Sequence, residues 1–211
     1  MLAALVDFLN APALAFGAVA ASRAELLGAV LGVWMVLCNL RVNALAWPLA
    51  IASSLLYLPV FWQARLYGDA ALQLLFVAVA CWGWWQWLRG TQDGGAPLAV
   101  HFLSARGRLL ALATMALLWP ATALLLTHTT DTDVPWWDAF PTAGSVIAQV
   151  LLGRKLVENW PAWLVINAVA IGLFAYKGLW LTVGLYALFG LLSLAGWRAW
   201  SRLAARAAPA T

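Results

Sequence analysis

Seven long apolar runs follow one another along the chain, at roughly 24–40, 44–63, 69–88, 108–128, 138–154, 160–176 and 178–198, each bounded by charge, glycine or proline. Each is close to the ~20 residues with which an α-helix crosses a bilayer. Polar residues gather between the runs and do not alternate within them, so strands are not indicated. The pattern predicts an all-α integral membrane protein with seven transmembrane helices. Ahead of them, MLAALVDFLNAPALAFGAVAAS lacks the basic start of a signal peptide, and Asp7, Asn10 and Pro12 make it a poor span. Residues 1–22 read as a short N-terminal interfacial helix lying on the membrane.

Composition narrows the function. Of 211 residues, 65% are hydrophobic and 9% charged, against about 25% charged in an average soluble domain. A secreted globule, a nucleic-acid-binding domain and a soluble enzyme on a small anchor are excluded. The net charge of +4 then reports orientation. With seven spans, Arg23, Arg65 and Lys177 share the side of the N-terminus, whereas Arg41, Arg89, Arg106, Arg108, Arg154, Lys155, Arg198, Arg202 and Arg206 lie opposite. That excess puts the C-terminus in the cytoplasm, with the tail RAWSRLAAR as a topology anchor near anionic lipid. Cys38 and Cys81 lie in apolar stretches and read as small buried hydrophobes.

The chain also repeats. N-x3-W at Asn43–Trp47 is followed by G-x3-W at Gly83–Trp87, and Asn159–Trp163 is followed by Gly196–Trp200. The first separation is the longer by three residues, which the hairpin between Gln63 and Asp69 absorbs. Corresponding helices lie an even number of spans apart, so the copies share one orientation. This is a parallel repeat of three helices, one linker helix with Pro120 at its centre, and three helices. The chain divides into an interfacial helix at 1–22, a first triplet at 23–88, a loop and linker helix at 89–134, a second triplet at 135–200, and a basic tail at 201–211.

No Asp, Glu, Lys or Arg falls near the middle of a predicted helix; Glu25, Asp69, Asp138, Glu158 and Lys177 all lie at ends. Asp69 and Asp138 suit helix N-termini. Proton relays and ion coupling use intramembrane ionisable residues, so a pump, an antiporter and an ion channel are disfavoured. The interior instead holds Tyr57, Gln73, Gln149, Trp163, Asn167 and Tyr186. Taken singly, each amide reads as an interhelical hydrogen-bonding group. As a set with the rings, they describe a site for a neutral-polar or cationic solute. Trp and Tyr faces hold a cation at about 0.5–2 kcal/mol per contact, and amides read carboxamides and hydroxyls. Asn167 follows Trp163 by one turn, so the two share a face. Ala24, Gly28 and Gly32 form a small-residue packing seam, and Trp34, Trp180 and Trp197 read as membrane-belt residues. Ser53, Ser54 and Ser145 lack a paired His, which argues against an intramembrane hydrolase.

Several motifs together resemble those of the PnuC-type nicotinamide riboside transporters. They are Asn43-x3-Trp47-Pro48, Leu66-Tyr67-Gly68-Asp69 with Leu72-Gln73, Gly83-Trp84-Trp85-Gln86-Trp87, Ser145-x3-Gln149, Glu158-Asn159-Trp160-x2-Trp163-x3-Asn167, and Lys177-Gly178-Leu179. The resemblance spans about residues 24–200. It implies a 3+1+3 fold related to the SWEET sugar transporters and a homotrimer in the bacterial inner membrane. It also implies uptake of an NAD precursor, with cytoplasmic phosphorylation trapping the riboside; the uncharged helix centres make this facilitated transport by alternating access. One substrate site between the triplets is implied, with Trp163 and Asn167 as contacts. Its lining extends to Asn43, Trp47, Tyr57, Gln73, Gln86, Gln149, Asn159, Trp160 and Tyr186; Gln86, near a helix end, equally suits a gate. No cofactor, catalytic activity or nucleic-acid partner is implied. Nicotinamide riboside presents a cationic ring, a carboxamide and a ribose without phosphate, so rings and amides suit it and the mononucleotide does not. The alternatives are the same fold carrying thiamine, riboflavin or a deoxynucleoside, and a non-transporting scaffold with a dry interior.

Overall fold

The computed structural model describes residues 11–16, 19–63, 67–91, 95–178 and 180–207. Among them a two-stranded hairpin, β1 (Pro12–Phe16) and β2 (Val19–Ser22), precedes seven helices. These are α1 (Arg23–Leu40), α2 (Ala46–Gln63), α3 (Tyr67–Arg89), α4 (Ala105–Thr129), α5 (Pro135–Gly153), α6 (Asn159–Tyr176) and α7 (Trp180–Ala207). Every helix falls on one of the seven apolar runs. Their ends carry the expected chemistry. The Ser104 hydroxyl accepts from Gly107 N–H at the start of α4, and Pro135 opens α5 where its missing N–H is no loss. At the end of α4, the hydroxyls of Thr127, Thr129 and Thr130 donate to carbonyls one turn back. Gly178, at φ 73°, follows α6 in the left-handed conformation that ends many helices.

The expected interfacial helix is not found where it can be inspected. Residues 1–10, 17 and 18 lie outside the described residues, and β1 and β2 run antiparallel where the rest of the helix was expected, with Pro12 opposite Ser22 and Phe16 opposite Val19. The physical reason is in the segment itself: Ala11–Ala21 carries no polar side chain. A surface helix there would have no face to turn toward water. Pro12 opens β1, a position that tolerates its missing donor, and Arg23 N–H donates to Ala11 O at 3.2 Å, joining the base of the hairpin to α1.

By length and composition, α4, α6 and the stretch Thr182–Ala207 of α7 can each cross a bilayer, and α1 and α2 carry shorter apolar stretches at Leu26–Leu40 and Ala46–Pro59. The leucines of α4 point outward, Leu117 leaving 74% of its surface bare and Leu109, Leu110 and Leu112 nearly as much. An apolar surface of that extent belongs in lipid.

The chain divides into two compact units, Met1–Trp85 and Gln86–Thr211. In the first, α1 and α2 meet at Gly28, where the Tyr57 ring lies so near that a Cβ would come within 2.5 Å of it, and Ser53 Oγ donates to Gly28 O at 3.0 Å. One member of the small-residue seam thus packs inside this unit. Gly83 of α3 lies under the Trp47 indole, where a Cβ would come within 2.3 Å. In the second unit α5 packs on α4 and α6, and α7 on α6. Trp119 ties α4 to α5 by donating to Trp136 O at 2.8 Å and meeting Phe140 edge-on. Gly196 of α7 lies under the Trp160 indole, again with room of only 2.3 Å.

These local designs recur at one fixed offset along the chain. Val42 and Lys155 both take positive φ, 53° and 55°, in the turns before α2 and α6. Asn43 N–H bonds to Cys38 O as Leu156 N–H does to Leu151 O. Trp47-Pro48 matches Trp160-Pro161, Gly83 matches Gly196, and Trp87 matches Trp200. The register read from N-x3-W is therefore corrected: the counterpart of Trp47 is Trp160, not Trp163, and no longer hairpin is needed. The two asparagines do different work. Asn43 Oδ1 accepts from Leu45 N–H at 2.9 Å in the turn, whereas Asn159 Nδ2 donates to Leu156 O at 2.6 Å from the first turn of α6.

Gly83→Ala and Gly196→Ala each push a methyl group into an indole ring, and overpacking of this kind costs about 1–3 kcal/mol. Thermal unfolding of the purified variants is expected several degrees below wild type; unchanged midpoints would refute the indole-on-glycine contact.

Candidate substrate site

The site is built on α6, whose residues 159–176 include no charged side chain. Asn159, Trp160, Trp163 and Asn167 recur at helical spacing along one stripe about 100° wide, with Phe174 further along it. Both ends of the helix are tied down. Glu158, just ahead of α6, accepts from Leu103 N–H at 2.9 Å and from Arg108 Nε at 3.1 Å. The segment before α4 runs beside the α5–α6 turn, His101 N–H donating to Lys155 O at 3.2 Å and Val157 N–H to His101 O at 3.0 Å. Lys155 Nζ donates to Leu98 O at 2.9 Å and lies 5.2 Å from the centre of the Trp87 ring, whose Nε1 donates to Leu152 O. Burial pulls the Lys155 ammonium below its ordinary pKa. At the other end Lys177 donates to Asp133. That bond holds the Asp133 carboxyl below, and the Lys177 ammonium above, their usual values. Asp138 lies in the first turn of α5, but its carboxylate accepts from the Thr132 hydroxyl in place of the capping bond to a backbone amide that was expected.

Between these ties the side chains differ in freedom. Asn159 is fully buried, and its Oδ1 has no hydrogen-bond partner among the described residues. Trp160 is 3% exposed, wedged on Gly196 and edge-on to Trp200 at 5.6 Å. Trp160 fills the crossing of α6 and α7. Trp163, one turn on, is half-buried. Asn167 is 4% exposed, and its Nδ2 donates to Ser193 Oγ at 3.4 Å. The Ser193 hydroxyl itself donates to Phe189 O at 2.8 Å. With its one hydrogen committed, Ser193 can only accept from Asn167, which fixes the amide nitrogen toward α7. Among the described residues, the second amide hydrogen and the carbonyl oxygen have no partner. Tyr186 packs on Phe174 with the rings tilted at 56° and their centres 4.9 Å apart, and it meets Phe189 edge-on at 6.0 Å.

Asn159, Trp160, Trp163 and Asn167 thus lie on α6, and Tyr186 lies on α7. Gln149 is buried on α5, and Gln86 is half-buried near the end of α3, where its backbone O accepts from Gly90 N–H. In the first unit Trp47 is 1% exposed under α3, Tyr57 packs on Gly28, and Gln73 is half-buried on α3. Asn43 is exposed in the turn before α2, its carboxamide oxygen engaged by Leu45. Sequence reasoning passed over Ser193, though a lone hydroxyl in the run LFGLLSLAG signals a buried partner. It also left Glu158 as a helix end, because Leu103 and Arg108 are remote in sequence.

Rings, a fixed amide and a hydroxyl suit the holding of a small organic solute within a membrane, which is what a transporter's site does. The chain belongs to the nicotinamide mononucleotide transporter family, whose sequence profile matches residues 22–202. It is 31% identical over 180 residues, 83% of each chain, to the riboflavin/roseoflavin transporter RibM of Streptomyces davaonensis. It is 27% identical over 165 residues, 67% of this chain and 69% of the relative, to the nicotinamide riboside transporter PnuC of Escherichia coli. The fold is similar to the crystal structure of the vitamin B3 transporter PnuC, with a TM-score of 0.71 at 24% identity over 88% of this chain and 83% of the other.

The Asp133–Lys177 pair sets a pH dependence. The lowered carboxyl contributes stability that is complete above the ordinary value of 3.8 and lost as pH falls through the folded-state value. The raised ammonium contributes below 10.5 and loses its share as pH rises through its folded-state value. Asp133→Asn is expected to lower the thermal midpoint slightly and evenly between these limits, the gap to wild type closing in acid; a gap independent of acid would refute the pairing.

Proposed function

We propose that the chain carries nicotinamide riboside across the bacterial inner membrane by facilitated diffusion with alternating access, and that phosphorylation of the riboside in the cytoplasm drives net import. The observation that carries this reading is Trp163 one turn before a buried Asn167 whose amide is oriented by Ser193. Trp163 stacks on the cationic ring at about 0.5–2 kcal/mol, and the open atoms of the Asn167 amide pair with the substrate carboxamide or a ribose hydroxyl. Gln86, Gln149 and Tyr186 are further candidates for the lining of the site. The names of the PnuC relatives support the substrate. The uncharged run of α6 offers nothing to neutralise a phosphate, and an unpaired buried charge is costly, so the mononucleotide is a poor substrate.

The architecture that goes with this function is a 3+1+3 parallel repeat of seven spans, α1–α3 and α5–α7 about the linker α4. The recurrence of Val42, Trp47, Gly83 and Trp87 at Lys155, Trp160, Gly196 and Trp200 supports it. The excess of arginine on one side supports a cytoplasmic C-terminus, and the family resemblance supports a homotrimer. A second reading is riboflavin as substrate, favoured by the higher identity to RibM.

Calorimetric titration of the purified protein tests the substrate and the site together. Nicotinamide riboside is expected to bind wild type, with affinity reduced about 5–150-fold by Asn167→Ala and about 2–30-fold by Trp163→Ala. Unchanged affinity in both variants removes the site, and riboflavin binding more tightly than the riboside establishes the second reading. In liposomes the riboside is expected to equilibrate without being concentrated. Uphill uptake driven by a proton or sodium gradient would sink the facilitated mechanism.

A further inference from the structure

The last helix is longer than a membrane requires. Its 28 residues rise about 42 Å at ~1.5 Å per residue, against a hydrocarbon core of ~30 Å. Counted from Trp180, an exposed ring at its first turn, Leu194 and Trp197 stand at about 21 and 26 Å, Arg198 at about 27 Å, and Ser201 and Arg202 at about 32–33 Å. The hydrocarbon boundary at ~30 Å therefore falls within this stretch, just beyond Arg198 and before Ser201 and Arg202.

Leu194, Trp197, Arg198, Ser201 and Arg202 together line one shallow groove of about 500 Å³. It lies on the side of α7 away from Ser193, Gly196, Trp200 and Ala204, which are buried. The groove grades from leucine and indole at its inner end to two arginines whose backbone positions are about 6 Å apart along the axis, with a hydroxyl between them in the sequence. No Asp or Glu follows Glu158 in the sequence, and among the described residues neither Arg198 nor Arg202 forms an ion pair. A guanidinium at a hydrocarbon boundary draws an anion, and its planar fork fits phosphate oxygens.

We infer that this groove binds an anionic glycerophospholipid, its phosphodiester held by Arg198, Ser201 and Arg202 and an acyl chain laid along Leu194 and Trp197. The apolar inner end is what separates such a lipid from a soluble phosphate. Arg206, one turn further out and beyond the groove, supplies only general attraction to an anionic surface.

The test uses the full-length protein in detergent, with phosphatidylglycerol or phosphatidylcholine of identical acyl chains added, bound lipid counted by native mass spectrometry and thermal unfolding recorded alongside. Wild type is expected to retain phosphatidylglycerol preferentially and to be stabilised by it. Arg198→Gln/Arg202→Gln lowers that retention about 25-fold, at about fivefold per arginine. Leu194→Ala/Trp197→Ala weakens binding of both lipids. Arg89→Gln/Arg106→Gln, which removes the same charge elsewhere, leaves retention unchanged. Equal retention of the two lipids, an equal loss in the charge-matched control, or displacement by millimolar inorganic phosphate would each overturn the proposal.

Discussion

In each unit one indole lies against the bare backbone of a glycine on another helix: Trp47 on Gly83, and Trp160 on Gly196. Lipid chains are as apolar as leucine, so the hydrophobic effect that packs soluble bundles does not pull membrane helices together. What remains is dispersion between surfaces that fit closely, and a flat ring on a glycine gives much contact at short helix separation. The Trp-Pro pair that opens α2 and α6 sets each ring at the first turn. The following turns of helix inherit their positions from that crossing, including the one that bears Trp163 and Asn167.

The same solvent decides where polarity can go. A polar group inside hydrocarbon has to find a partner within the protein, and Asn167, Ser193 and the Phe189 carbonyl form such a chain. Because each member is committed in one direction, the amide is oriented before any ligand arrives, and preorganisation of this kind lowers the cost of binding. Charge is left to the helix ends, and there it fastens α6. Glu158 with Leu103 and Arg108 holds one end, and Lys177 with Asp133 holds the other. A helix tied at both ends and seated on glycine at its first turn keeps the stripe from Asn159 to Asn167 in register.

Where the sequence misled, local patterns lacked a decisive physical term. The stretch from Ala11 to Ala21 is apolar throughout, so hydropathy assigned it to the membrane but had no periodicity with which to choose helix or strand, and hairpin pairing settled it. N-x3-W matched letters whose hydrogen bonds differ, Asn43 stabilising a turn and Asn159 standing inside a helix. The fifteen tryptophans sort by contact in a way that composition does not show. Trp34, Trp180 and Trp197 are exposed, as the belt rule expects, while Trp47, Trp87, Trp160 and Trp200 are buried against neighbouring helices.

By itself the sequence determined the membrane as solvent, the seven helices and nearly all of their ends, and the family, because a bilayer admits few backbone solutions and long apolar runs select one of them. It also marked Trp163 and Asn167, since helical spacing alone puts residues one turn apart on one face. Only the tertiary structure decided that Ser193 orients Asn167, that Glu158 holds the segment before α4, and that Trp160 lies on Gly196 as Trp47 lies on Gly83. Those facts depend on residues far apart in the chain being brought together, and helical periodicity carries no information about which helix lies alongside.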